Sequence, residues 1–265
     1  MHAEGPTFKL FNVLKSPVQV YAEVGEHILH LNALIGRAIS IEYRGLAICK
    51  SCKGDFDSIF RMGCCKKCFF ESPLAGDSIL RPELSRAHLN IEDRDLGHEK
   101  LFQLQPHAVY LADAGQIKVG VTRLDQVHNR WMDQGAGRAR IIAKTNNRYE
   151  AGLIEVELKS LYSDKTNWRK MLNNKSDDRD LGEEAIHARE YVSNNLRGFF
   201  DLEGEQQEIH YDYNATPENI NSFSFKGAGK FKGDLFGLRG QYLIFSNGDA
   251  INLRSHEGMV LSWSY

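Results

Sequence analysis

Five cysteines are confined to twenty residues of this chain, and four of them form two pairs, Cys49-Lys-Ser-Cys52 and Cys65-Lys-Lys-Cys68. Two C-x-x-C turns about a dozen residues apart can deliver four thiolates to one tetrahedral ion, so the spacing predicts a zinc site. Four protein ligands leave no open position for water, which makes the zinc a structural staple and not a catalyst. Cys64 is the spare thiol and an alternative to Cys65 as ligand. Basic residues (Arg44, Lys50, Lys53, Arg61, Lys66, Lys67) interleave here with Phe56, Phe60, Phe69 and Phe70. That mixture suits nucleic-acid contact, while the phenylalanines equally suit the small core such an element needs.

A second chemical candidate lies in "AVYLADAGQIKVGVTR", Ala108 to Arg123. Val109, Leu111, Ile117, Val119 and Val121 alternate with Tyr110, Lys118, Gly120 and Thr122, the period-2 pattern of two half-buried strands. A three-residue loop Asp113-Ala114-Gly115, with Gly115 left-handed, would pair Ala112 with Gln116 and set Tyr110 opposite Lys118. An ammonium beside the phenol would lower its pKa from about 10 and favour a proton-accepting phenolate.

These residues need elements to hold them, and the chain reads as α+β. Residues 1 to about 48 are strand-rich, the cysteine cluster follows, and a polar linker runs from about Ser85 to Lys100. The hairpin then opens a middle module with a helix near Gln126 to Gln134, the strand "RARIIAKT" and the helix "NRYEAGLIEVELKSLY", capped by Asn146 or Asn147. Beyond lie the acidic helix "LGEEAIHAREYVSNNLRGFF" and strand-and-turn sequence in which Asn247-Gly248 predicts a type I′ turn. This divides the chain into 1–100, a β-rich region with a zinc ribbon; 101–175, the central module; and 176–265, a helix plus a β-rich region.

The central order of residues resembles the GIY-YIG nuclease superfamily: Tyr, then Lys-Val-Gly, then an Arg in "QVHNRWMDQGA", then a Glu on a later helix. The resemblance covers roughly residues 106 to 170. The whole chain also looks like a family of uncharacterised bacterial and archaeal proteins that place cysteine pairs before such a module. The resemblance implies a small, mostly antiparallel sheet and a divalent-metal-dependent phosphodiester hydrolase acting on DNA or RNA. It places Tyr110 as proton acceptor, Gly120 as the second-motif glycine, Arg130 on the growing phosphoryl charge, Glu155 as ligand of Mg²⁺ or Mn²⁺, and Asn167 as the late asparagine. Arg123 joins Asn167 as a substrate-binding candidate, and Lys118 joins the catalytic set. Ala108-Val109 departs from Gly-Ile, and Lys118 stands where a second tyrosine is usual. Without the resemblance, Glu155 and Lys159 form an i, i+4 ion pair on a helix face.

Composition bounds the alternatives. With 265 residues, 42% hydrophobic and 26% charged, the chain has the make-up of a folded protein with enough length for more than one core. The net charge of −2 gives no global pull toward nucleic acid. Yet Gln116–Arg148 carries seven Lys and Arg against two Asp, and Ser176–Glu208 carries ten acids against three Arg. No signal segment or spanning helix is evident, so a cytoplasmic location is expected. Rival readings are a module that binds nucleic acid without cutting it and, given the acidic helix, a protein-interaction scaffold.

Overall fold

The structure, a computed structural model, describes residues 1–163, 167–213 and 219–265. The fold is α+β. It divides into two compact units, Met1–Glu71 with His210–Tyr265, and Ser72–Ile209, so the two β-rich ends of the chain belong to one unit. No helix of the described residues is long and apolar enough to cross a membrane.

In the first unit an eight-stranded sheet is built around the long strand Ala38–Ile48, which pairs antiparallel with Met259–Ser264 on one side and Gly229–Arg239 on the other. His2–Pro6 extends one edge, and Tyr242–Phe245, Asp249–Asn252 and Asn221–Phe223 extend the other. Alternating burial along Ala38–Ile48 puts Ile39, Ile41 and Tyr43 inward, the period a half-buried strand requires. Asp55–Phe56 pairs antiparallel with the end of the long strand as the eighth, and Leu10–Val13, Gln19–Val24 and His27–His30 form a separate three-stranded antiparallel sheet. The connection at Asn247-Gly248 is a three-residue loop, not a two-residue type I′ turn. Gly248 alone of the pair has a positive φ, 87°. Asn247 is held instead by its side chain, whose Oδ1 accepts from Asp249 N at 3.0 Å.

The second unit contains a four-stranded sheet in the order Gln206–Glu208, Arg138–Thr145, His107–Asp113, Ile117–Arg123, all antiparallel. Val109, Leu111, Val119 and Val121 on one face pack with Ala151, Ile154 and Leu158 of the Arg148–Leu158 helix and with Leu181, Ala185 and Ala188 of the Leu181–Tyr191 helix. Asn147 caps the first of these helices by accepting from Glu150 N at 3.0 Å, the role its side chain favours. The Val127–Asp133 helix buries Val127 and Trp131, each 3% exposed.

Where a polar linker was expected, a helix runs over Leu96–Gln103. Glu99 is buried and accepts from the N–H groups of Asp93, Arg94 and Asp95 at 3.1, 2.7 and 3.1 Å. Burial alone would raise its pKa, but those three donors outweigh it and hold the carboxyl low. A run of charges that reads as solvated chain is thus a capped and anchored helix.

Candidate functional site

Hairpin register decides what Tyr110 faces. The loop is Ala114-Gly115-Gln116, flanked by the pair Asp113 and Ile117, with Gly115 at φ 88°. Asp113 is a strand residue because its carboxylate is fully engaged: Oδ1 accepts from Gly115 N at 3.0 Å, and Oδ2 accepts from Asp177 N at 2.9 Å and pairs with Arg138 Nε at 3.2 Å. The two-residue shift sets Tyr110 opposite Gly120 and Lys118 opposite Ala112. The expected Tyr110–Lys118 cross-strand pair is therefore not formed, although both remain on one face and Lys118 is buried.

Gly120 earns its place by being bare. A Cβ there would lie 2.5 Å from Tyr110 Oη and 2.6 Å from Cζ, so the tyrosine ring occupies the space a side chain would take. Gln134, just past the Val127–Asp133 helix, donates Nε2–H to Tyr110 Oη at 2.8 Å. The Trp131 ring meets Tyr110 edge-on at 6.1 Å between centroids.

Arg130 and Glu155 are near enough to Tyr110 for their charges to act on its phenol. The charge of Arg130 favours the phenol's anion, while the Glu155 carboxylate disfavours it. Burial outweighs both, since Tyr110 is fully enclosed, and pushes the phenol above its usual range. The expectation of an acidified tyrosine is thus reversed: the phenol is neutral at physiological pH.

Glu155 lies on a helix face it shares with Arg148, Gly152 and Lys159. The segment Ser78–Leu84 covers that face. Arg148 donates from Nε to Ser78 O at 2.8 Å and from Nη2 to Ile79 O at 3.0 Å. The backbone at Pro82 and Glu83 lies so close to Gly152 that a Cβ would sit 2.2 Å from Glu83 N. Glu155 is 7% exposed. Its Oε2 lies 3.4 Å from Lys159 Nζ, so the i, i+4 ion pair exists, with its carboxylate buried and its ammonium half-buried. Burial raises its pKa, and the Lys159 and Arg148 cations oppose that rise. Arg148 is itself drawn down to about 10, by burial first and then by Arg130, against the support of Glu155 and Glu83.

Other residues frame this cluster. Arg123 sits 3.6 Å from Asp125 and 5.4 Å from the Phe102 ring, which Arg148 also approaches at 5.1 Å. His107 donates Nδ1–H to Gln105 O at 2.7 Å and leaves a buried Nε2 without a partner. Glu83 Oε2, Trp131 Nε1 and Gln134 Oε1 are likewise buried without one. Asn167 is placed as a helix cap, accepting from Lys170 N at 3.2 Å. Arg148 and Gln134 escaped the sequence reading. For Arg148 there was a signal: a cation in a first helical turn opposes the macrodipole and so asks for a reason.

The basic character of the middle stretch does not survive as a surface. Arg138 pairs with Asp113 and donates to the carbonyls of Asp177 and Arg179. Arg140 donates to Leu202 O, and Lys144 meets Asp201 Oδ2 at 2.8 Å. The acidic stretch thus neutralises part of the basic one within the same unit.

The cysteine cluster belongs to the first unit. The Sγ atoms of Cys49, Cys52, Cys65 and Cys68 all lie within 4.8 Å of one another. Tetrahedral thiolates about 2.3 Å from zinc are about 3.8 Å apart, so this set could hold a structural metal such as zinc. Cys49 ends the long Ala38–Ile48 strand and Cys65 precedes the Lys66–Glu71 helix. Cys65 N–H donates to Cys49 Sγ at 3.3 Å, and Cys68 N–H to Cys65 Sγ at 3.5 Å. Burial raises the Cys49 pKa, but the N–H groups of Cys65, Cys52 and Ser51 overcome this and bring it to about 6. Cys64 is outside the ligand set: it is buried, and its backbone closes a turn with Arg61.

An α+β chain with a four-cysteine cluster in one unit and a buried tyrosine and glutamate in the other is the class these features define. A family model described as "protein of unknown function (DUF2797)" matches residues 36–261, and the chain belongs to that family. No curated protein and no solved structure matches it.

Proposed function

We propose that this chain is a divalent-metal-dependent nuclease-like protein that hydrolyses phosphodiesters of DNA or RNA and carries a structural zinc on Cys49, Cys52, Cys65 and Cys68. The observation carrying the reading is that Arg130 and Glu155 both act by charge on the Tyr110 phenol, three residues spread over 46 positions that the GIY-YIG-like order singles out. A hard cation takes carboxylate oxygens, and Glu155, with an Oε2 that receives no hydrogen bond, suits it. When bound, Mg²⁺ or Mn²⁺ would supply charge stabilisation for the leaving oxygen. Arg130 would offer its planar fork to the phosphoryl oxygens. Tyr110, neutral and fixed by Gln134, would orient the attacking water through Oη, with Lys118 on the same sheet face.

The test is nicking of supercoiled plasmid and labelled RNA with Mg²⁺ or Mn²⁺. Wild type should cleave and Glu155→Ala should lose at least about a hundredfold, since a lost metal ligand removes a transition-state interaction worth several kcal/mol. Equal cleavage by both proteins refutes the assignment. One observation favours a second reading, a module that binds nucleic acid without cutting it: Tyr110 is fully buried and its phenol is held neutral. Salt-sensitive binding with no turnover in either metal would select that reading.

A further inference from the structure

The phenylalanines beside the cysteine cluster do not all behave as a core. Phe60 is 46% exposed and Phe70 58%, although the two rings and Phe69 contact one another with centroids 5.2 to 5.9 Å apart. Phe60 lines a cleft of about 800 Å³ together with Phe56, Ile59, Lys66, Lys67 and three of the cysteines. The Arg61 guanidinium lies 5.8 Å from the Phe60 centroid. Lys67 has an exposed acid, Glu71, at 3.9 Å, a pair of little energetic weight. Three cations of this stretch, Arg61, Lys66 and Lys67, accompany the rings, and its acids are Glu71, Asp55 and Asp57.

We propose that this face docks single-stranded nucleic acid, with bases against Phe60 and Phe70 and phosphates against Arg61, Lys66 and Lys67. Cations beside exposed aromatic rings suit a polyanion whose bases are unstacked. A duplex hides the base faces and would use only the cations. An acidic peptide would satisfy the lysines and leave the rings without partners. The inference does not rest on the nuclease reading, since no residue of the Tyr110 cluster takes part.

The experiment uses the full zinc-loaded chain carrying Glu155→Ala, so that cleavage cannot intervene, and fluorescein-labelled oligo(dT) and oligo(U) in anisotropy titrations. Phe60→Ala and Phe70→Ala should each weaken binding at least about fivefold, the lower bound of one base–aromatic stack. Phe70→Trp should restore it, and Lys66→Gln should reduce the salt slope by about 0.7. Zinc content, measured alongside, should stay unchanged. If Phe70→Ala sheds zinc, Phe70→Leu, which keeps the volume and loses the ring, takes its place with the same expected weakening. Absence of binding by the parent, unchanged affinity in the phenylalanine variants, or tighter binding to duplex or to polyglutamate overturns the proposal.

Discussion

Replacing Gly152 by alanine sets two effects of opposite sign against each other. In a helix interior Gly→Ala is stabilising by about 1 kcal/mol from propensity alone. At position 152 the added Cβ would lie 2.2 Å from Glu83 N, 2.5 Å from Pro82 C and 2.8 Å from Glu83 Cα, all backbone atoms that no rotamer change can move. Relief requires the Pro82–Glu83 backbone to retreat by about 1 Å, an overpacking cost of about 1–3 kcal/mol. The same retreat strains the bonds from Arg148 to Ser78 O and Ile79 O, each a charged hydrogen bond contributing about 1.5–3 kcal/mol. Allowing for partial loss of these bonds, the balance is a net destabilisation of about 1–3 kcal/mol. Urea unfolding followed by circular dichroism reads it as a lower midpoint at unchanged slope. Gly97→Ala is the control: it also lies in a helix, but its Cβ would meet only the Asp95 Oδ1 side-chain atom, at 3.3 Å. Stabilisation of Gly152→Ala to the same degree as Gly97→Ala would refute the close approach of the Ser78–Leu84 segment to this helix.

Two further predictions concern the cysteines and the buried histidine. Cys65→Ser should abolish tight zinc binding, whereas Cys64→Ser should retain one zinc per chain by metal analysis; the reverse result would exchange their roles. His107 is held at about 4 by burial first and then by the Arg148 and Arg123 charges, against about 6.5 unfolded. Because the folded value is the lower one, the stabilising contribution is complete above pH 6.5 and disappears as pH falls toward 4. The 2.5-unit difference corresponds to about 3 kcal/mol. His107→Gln should therefore flatten the pH dependence of the urea midpoint between pH 6.5 and 4, and an unchanged profile would show that the imidazole titrates normally.

What the sequence disclosed was local. Asn147 as a cap, Arg138–Thr145 as a strand and two C-x-x-C turns each depend on neighbours within a few residues, and each stands where the pattern placed it. The hairpin register was not legible, because the residue that sets it, Asp113, takes its instructions from Arg138 and Asp177. Without those partners, Asp113-Ala114-Gly115 is as good a loop as Ala114-Gly115-Gln116. The Leu96–Gln103 helix was hidden for a related reason: Glu99 reads as one more solvated charge until its oxygens are matched with the three backbone donors they accept from.

The same logic bears on the cluster around Tyr110. Seven positive residues in Gln116–Arg148 invite an electrostatic reading in which the whole stretch faces a polyanion. Of these, Arg138, Arg140 and Lys144 are committed to the acidic stretch and its carbonyls, Arg148 to the carbonyls of Ser78 and Ile79, and Arg123 to Asp125 and Phe102. Such commitments hold the unit together, and a phosphate would have to outcompete them. Arg130 differs: its charge acts on the Tyr110 phenol and on Arg148, and a neutral phenol cannot satisfy a guanidinium as a carboxylate does. Glu155, the carboxylate that acts on the same phenol, is shared with the Lys159 and Arg148 cations. One carboxylate shared among several cations, more than the basic composition of the stretch, is the physical reason to test this place for an anionic substrate.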